Sequence, residues 1–306
     1  MAKRKKDRPT VSVVGAGRLG TALALALAPC GYSLEAVVAR RQTRAQKAAR
    51  LFTRRPLALS GAQLAKLPES ELILITTPDD VITLIAGRLA AFQKDVRPGR
   101  TVLHTSGALS SEVLGPLAAA GFHIGSLHPL VSVSDSLSGT TNLRGAFYCL
   151  EGDRAALRVA RAMVRDLGGQ SFSIDSRNKA LYHAAAVMAS GHLVALFDIA
   201  AEMLVRCGVD QKSARRVLMP LVESTVKNLL SSDPAHALTG TFARGDLATV
   251  QRHLEALNAN GLFDGLRAYQ LLGRRSLELA KRNGANAIVV KKIVSVLDQA
   301  QEPSDD

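Results

Sequence analysis

Hydrophobic positions follow two rhythms along the chain. From residue 9 to about residue 175, short continuous apolar runs alternate with stretches of helical period. Thr10-Val11-Ser12-Val13-Val14 is the first such run, and its β-branched residues predict a buried strand. Further strands are predicted at Leu34 to Ala39, Leu72 to Thr77, Arg100 to Thr105, His123 to Leu127, Ala146 to Leu150 and Ser171 to Ile174. Helices are predicted between them, at Thr21 to Ala28, Thr43 to Phe52, Val81 to Phe92, Ser110 to Ala120 and Ala155 to Leu167. Apolar strands alternating with helices are the pattern of a parallel sheet covered on both faces. Residues 9–175 are therefore expected to form one doubly wound α/β domain of the Rossmann kind.

The rhythm changes after Asp175. Asn178 to Arg206 reads as one long, mostly apolar helix, with Gly208 as its stop signal. Helices are predicted again at Gln211 to Leu230, Asp246 to Leu257, Gly261 to Arg282 and Ala285 to Ala300, and the strand pattern does not return. Residues 176–306 are expected to be an all-helical domain that holds substrate and dimerises. The dimer is expected because the long helix is apolar nearly all round and so needs more cover than about four further helices supply.

Composition narrows the classes. Hydrophobic residues are 47% of the 306, enough for a real core and against intrinsic disorder. No uninterrupted apolar run approaches the roughly 18 residues of a membrane span, so no membrane association is expected. The basic opening stretch, Met1 to Arg8, lacks the apolar core of a signal peptide. Cys30, Cys149 and Cys207 are scattered and form no C-x-x-C, which fits a reducing, cytoplasmic compartment. The net charge of +13 suits anionic ligands. With no tryptophan, four tyrosines and no recognition motif, nucleic acid is not the expected partner.

The strongest chemical signal is Gly15-Ala16-Gly17-Arg18-Leu19-Gly20, placed between the first strand and the first helix. Gly15 makes the tight turn, Gly17 lets a pyrophosphate approach the backbone, and Gly20 lets the helix pack on the sheet. The helix N-terminus then offers free N–H groups to the phosphates. At the end of the second strand, where NAD-binding versions carry a carboxylate, stand Arg40 and Arg41, with Thr43 close by. Glu35 lies at the wrong end of that strand. Two guanidinium groups complement a 2′-phosphate, so the expected cofactor is NADP(H). Thr76, Thr77 and Pro78, at the end of another strand, are expected to run beside it.

Other strand ends carry His104, Ser106 with Gly107, and His128. The histidines form no metal signature, so no metal is expected. Lys179 and His183 are four apart at the start of the long helix and share a face, with Tyr182 beside them. The stretch Ala237 to Asp246 joins two helices with two glycines and a charged pair; Asp246 is placed to cap the next helix.

Taken together, Gly15 to Gly20, His128-Pro129-Leu130, Lys179 to Ala186, Leu238-Thr239-Gly240 and Ala243 to Asp246 resemble a bacterial family that pairs a Rossmann-like domain with a helical domain of unknown function. The plan is similar to the β-hydroxyacid and 6-phosphogluconate dehydrogenase superfamily, whose C-terminal domain is helical, and to pyrroline-5-carboxylate reductase. The resemblance implies an NADP-dependent oxidoreductase acting on a small carbonyl, imine or hydroxy-acid substrate in a cleft between domains. Lys179 matches the superfamily's catalytic lysine. His183 stands where the hydroxyacid enzymes have asparagine, and Thr241 and Phe242 stand where the bacterial family has proline and an aliphatic residue. Lys179 and His183 are thus expected to handle protons, with Ser106 and His128 orienting substrate. A chain that kept the cradle and lost chemistry, an NADP(H) sensor, is the alternative.

Overall fold

Eight short strands of the N-terminal half hydrogen-bond into one sheet in the computed structural model, which describes residues 8–93 and 97–300. They are β1 (Thr10–Val14), β2 (Ser33–Ala39), β3 (Leu57–Ser60), β4 (Leu72–Ile75), β5 (Thr101–His104), β6 (His123–Pro129), β7 (Phe147–Gly152) and β8 (Gln170–Ser173). Their order across the sheet is β3-β2-β1-β4-β5-β6-β7-β8. Every neighbouring pair is parallel except β6 with β7. The wholly parallel sheet read from the sequence is corrected there. Gly125 and Gly152 face each other across that pair, and a Cβ on Gly152 would lie 2.5 Å from the Gly125 Cα. The strand β3 escaped the sequence pattern because it is a four-residue edge with an exposed first residue.

The helices of this half are α1 (Arg18–Leu27), α2 (Gln42–Ala49), α3 (Asp79–Phe92), α4 (Gly115–Ala119), α5 (Ser136–Asn142), α6 (Arg154–Asp166) and α7 (Lys179–Ala189). The helix expected at 110–120 begins instead as a 3₁₀ turn, and α4 starts only at Gly115, with Pro116 in its first turn. Successive residues of a strand face opposite sides. Leu72 and Leu74 join one core with α1 and α6, while Ile73 and Ile75 join a second core with α3 and α4. The strand order reverses between β1 and β4, which opens a crevice at their carboxyl ends.

The chain divides into two compact units, Met1–Ser190 and Gly191–Asp306, against the expected change at residue 175. The difference has a physical source: the α7 side chains of Lys179 and Tyr182 reach groups on the sheet. The expected single helix over 178–206 is interrupted. Ser190 leaves helical geometry at φ −124°, ψ −70°, and α8 (Gly191–Arg206) follows. By length and composition Ser176–Arg206 is apolar enough to cross a membrane, which the search for uninterrupted apolar runs did not predict. Its two pieces have 11 and 16 residues, each short of the roughly 20 that a bilayer requires.

The second unit continues with α9 (Gln211–Ser231), α10 (Pro234–Ala237), α11 (Thr241–Arg244), α12 (Leu247–Ala259), α13 (Phe263–Arg282) and α14 (Ala287–Gln299), with no strand among its described residues. Asp210, Asp233, Asp246 and Asn286 cap α9, α10, α12 and α14, each accepting backbone N–H groups of the first turn. Its core is built by α12, α13 and α14 around Leu254, Leu266, Leu277, Ile293 and Leu297.

Candidate functional site

The turn after β1 shows why its glycines are needed. Gly15 adopts φ +120°, and a Cβ there would lie 2.6 Å from the Thr76 carbonyl carbon. Its N–H and that of Ala16 both donate to the Val38 carbonyl, at 2.9 and 2.8 Å, which ties the turn to β2. The Thr76 hydroxyl donates to the Gly15 carbonyl at 2.7 Å, which ties it to β4. A Cβ on Gly20 would collide with Gly15 O and Thr76 Oγ1. Gly17 differs: the nearest atom to its missing Cβ is 3.9 Å away, so its face is open. No side chain caps α1 at Gly17, which leaves the first-turn amides for a ligand.

These residues border a cavity of about 1210 Å³. Gly15, Ala16, Gly17, Arg18, Thr76, Thr77 and Pro78 line it, as do Arg40, Arg41 and Thr43 from the end of β2 and the start of α2. Leu19 and Gly20 do not; Leu19 packs on the core behind the turn. The sequence reading missed Arg44 and Lys47, which also line the cavity. The signal was present in the three-residue spacing of 41, 44 and 47 along one helix. Among the described residues, Asp80 is the one carboxylate that lines this cavity. Glu35 bonds Ser70 and takes no part. Among the described residues the buried Thr77 hydroxyl has no hydrogen-bond partner, which a ligand group would supply. An open glycine, an uncapped helix end, an unpaired buried hydroxyl and six basic side chains around one cavity fit a phosphorylated dinucleotide.

A second constellation lies at the ends of β5 and β6. Lys179 is only 1% exposed, and its Nζ donates to the Ser106 carbonyl at 3.0 Å and to Ser126 Oγ at 2.8 Å. Burial lowers its pKa below the usual lysine value. Ser106 is fully engaged: its hydroxyl donates to Asp79 at 2.7 Å and accepts the N–H groups of Ala108 and Leu109 at 3.1 and 3.0 Å. It shapes the turn and has no hydroxyl proton left for a substrate. His104 is equally engaged, with Nδ1 accepting the Ser106 N–H and Nε2 donating to the Ser110 carbonyl. Burial, with the Lys179 charge, pushes His104 down to about 4.

His128 sits on β6 itself, since the strand runs to Pro129 and not to the expected Leu127. Its Nδ1 lies 2.6 Å from the Tyr182 hydroxyl. Its ring meets those of Tyr182 and His183 edge-on at 5.5 Å. Burial first, then the Lys179 charge, pushes its pKa down to about 4. His183 Nδ1 is buried without a partner among the described residues. Gly107 lets the imidazoles close in: a Cβ there would collide with His183 Nδ1 and lie 2.9 Å from His128 Nε2. Lys179, His183, His128 and Ser106 are thus brought together as expected. Tyr182, noted beside Lys179 and His183 in the sequence, joins them, and so do Asp79, Ser126 and Cys149, which were not singled out. Only Tyr182 carried a sequence signal, its place between Lys179 and His183.

The stretch 237–246 is held by packing. Gly240 and Gly245 take φ of +82° and +68°. The Phe242 ring fills the space where Gly273 lacks a Cβ and meets the Tyr269 ring at 5.5 Å. Asp246 accepts the Thr249 N–H at 3.1 Å, as its expected capping role requires.

Residues 2–129 match the family model of a Rossmann-like domain, and residues 146–276 match the model described as Domain of unknown function (DUF2520). No curated protein matches the sequence. Among solved structures, protein TM1727 of Thermotoga maritima is similar at 22% identity and TM-score 0.68, covering 90% of this chain and 100% of its own. A candidate NADP oxidoreductase of Bacteroides fragilis, BF3122, is similar at 21% identity and TM-score 0.71, covering 89% and 99%. Pyrroline-5-carboxylate reductase of Streptococcus pyogenes is similar at 16% identity and TM-score 0.57, covering 96% and 99%. These likenesses establish a shared fold. The two matches, side by side along the chain, give the pairing of a Rossmann-like domain with a DUF2520 domain that its motifs resemble.

Proposed function

We propose that this protein is an NADP(H)-dependent oxidoreductase acting on a small carbonyl, imine or hydroxy-acid substrate. One observation carries the reading: a single cavity holds the open Gly17 turn and, from β2 and α2, Arg40, Arg41, Arg44 and Lys47. The turn would hold the pyrophosphate, and the cations would surround an added phosphate on the adenosine ribose. When bound, the nicotinamide supplies or takes up a hydride. The chain's own residues do the rest: Thr77 offers its unpaired hydroxyl, Lys179 fixes the Ser106 turn, and His128 and His183 face the reacting groups. The candidate NADP oxidoreductase of B. fragilis, and a pyrroline carboxylate reductase of Plasmodium falciparum with NADP bound, share the fold and support this reading.

A second reading, an NADP(H)-binding sensor, is favoured by one feature. Lys179 is buried and bonded within the protein, so it is closed to direct proton exchange with substrate. Incubation with NADPH and pools of small carbonyl and imine compounds separates the two. Loss of NADPH absorbance with any pool supports the enzyme, and binding without turnover supports the sensor.

We also propose that the helical unit pairs with a second copy of itself. In α8 and α9, Val194 is 69% exposed, Leu221 64% and Leu230 83%, and each helix buries a single residue. An apolar face of that kind marks an interface, and a second copy supplies a self-complementary cover. Light scattering is expected to give the mass of a dimer; a monomer would contradict the proposal.

A further inference from the structure

We infer that Arg50, Arg54 and Arg55, which stand beside the dinucleotide cavity without lining it, form a steering rim. It speeds the arrival of the phosphorylated dinucleotide and so sets part of the preference for NADP(H) in the association rate. The inference deepens the oxidoreductase reading and rests on its choice of cofactor. From Arg40 to Lys66 the chain carries eight basic residues and no carboxylate. The first four, Arg40, Arg41, Arg44 and Lys47, line the cavity. Arg50, Arg54, Arg55 and Lys66 do not, and all four are exposed. Arg50 caps the C-terminus of α2 and precedes Leu51, which lines the cavity, so the rim begins at the cavity wall. Arg54 and Arg55 continue it along the link from α2 to β3.

Among the described residues, the side chains of Arg50, Arg54 and Arg55 make no hydrogen bond or ion pair. The flanking carboxylates of the chain are bound elsewhere: Glu35 accepts the Ser70 hydroxyl, and Glu69 pairs with Arg97. A guanidinium stays charged through the physiological range, so the field of the rim is neither cancelled nor titrated. Contact with the ligand is the task of the cavity. Its six basic side chains already exceed the about four negative charges of a pyrophosphate and a 2′-phosphate. Exposed charges outside the contact are screened and add little to the bound state. They act before contact: a cleft ringed by one sign of charge raises the on-rate of an opposite ligand by about 10- to 1,000-fold. A rim charge is accordingly read in the on-rate and its salt dependence. The attraction scales with ligand charge, so NADPH, with about two more negative charges than NADH, gains more from it.

In a chain of net charge +13, a simpler cause is that total charge alone draws the anion. The fold supplies the comparison that separates the two. Arg154, Arg158, Arg161 and Arg165 form an equally exposed row on α6, at the i, i+4, i+7, i+11 spacing of one helix face. Their side chains likewise make no ion pair among the described residues. Helix α2 packs on β2 and β3 at one edge of the sheet, whereas α6 packs on β5 to β8 toward the other. At about 4.8 Å per strand, the centres of those two sets lie roughly 24 Å apart. The screening length is about 10 Å at 0.1 M ionic strength, so the α6 row adds to the net charge and little to the field at the cavity. The rim adds to both.

The test follows association of NADPH with the full chain by stopped-flow fluorescence. In a triple variant, Arg50→Ala with Arg54→Ala and Arg55→Ala, the on-rate at about 0.1 M ionic strength is expected to fall about fivefold, with the off-rate changed by less than about twofold. For NADH the same variant is expected to lose less than about threefold. At about 1 M salt, where screening reaches about 3 Å, the variant and the unaltered chain are expected to agree within about twofold. Arg154→Ala with Arg158→Ala and Arg161→Ala removes the same charge from α6 and is expected to slow NADPH by less than about twofold. Lysine at positions 50, 54 and 55 keeps the charge and is expected to keep the on-rate. Equal slowing by the α6 variant would assign the effect to net charge. A loss carried by the off-rate, or a lysine variant as slow as the alanine one, would assign it to guanidinium contacts with the ligand. Each of these overturns the rim while NADPH binding stands. No saturable NADPH binding by the unaltered chain overturns the cofactor reading and the rim with it.

Discussion

The turn after β1 and the polar constellation around His128 belong to the same unit but are built on opposite principles. The turn is contiguous and made of backbone: three glycines in six residues, Gly15 and Gly20 required by close neighbours and Gly17 leaving its face open. The constellation is made of side chains drawn from β5, β6, β7, α3 and α7, and almost every polar atom in it has an internal partner. A binding cradle keeps its amides and cations unpaired for a ligand. The proposed catalytic cluster satisfies nearly all its groups and leaves His183 Nδ1 buried without a partner among the described residues.

Substitution in the turn is expected to have the largest effect. Gly20→Val places side-chain atoms against Gly15 O and Thr76 Oγ1, and dinucleotide binding is expected to vanish, with a stability loss of about 3 kcal/mol. Calorimetry with NADPH and a thermal melt measure both; retained binding would break the contrast. Next comes Lys179→Met, which takes the ammonium from Ser106 O and Ser126 Oγ and leaves them the long 3.3 Å bond between themselves. A stability loss of about 2 kcal/mol is expected, with lowered turnover and NADPH affinity changed by less than about twofold. An equal loss of NADPH affinity would show that the two regions are not separable.

Replacing Arg41 and Arg44 together with alanine is expected to weaken NADPH binding about 10- to 100-fold and to leave NADH binding nearly unchanged. Equal losses for both would assign these cations to the pyrophosphate. A further effect is one of pH. His104 and His128 sit near 4 in the folded chain and return to about 6.5 on unfolding. Between those values the unfolded chain binds more protons, so stability is expected to fall as pH drops from about 6.5 toward 4. Urea midpoints at pH 7 and pH 5 check this, and His128→Gln is expected to shrink the difference.

The same contrast explains what the sequence disclosed. Gly15, Gly17, Gly20, Arg40 and Arg41 act where they stand, so local spacing exposes them. Arg44 and Lys47 needed only one more helical turn to be found. Lys179 and His183 were legible because an apolar helix makes polar residues conspicuous. Ser126 and Cys149 were not, because their roles arise from the pairing of β6 with β7, which no local pattern announces. The break at Ser190 was hidden for a related reason. Neither neighbouring stretch departs from an apolar helical pattern, and only the backbone geometry records the interruption.

Which dinucleotide the cavity takes is the central question. Isothermal titration of the purified chain with NADPH and NADH, at one ionic strength, measures it. Saturable NADPH binding at least tenfold tighter than NADH is the predicted result. No binding of either, or NADH binding as tight as NADPH, would contradict it.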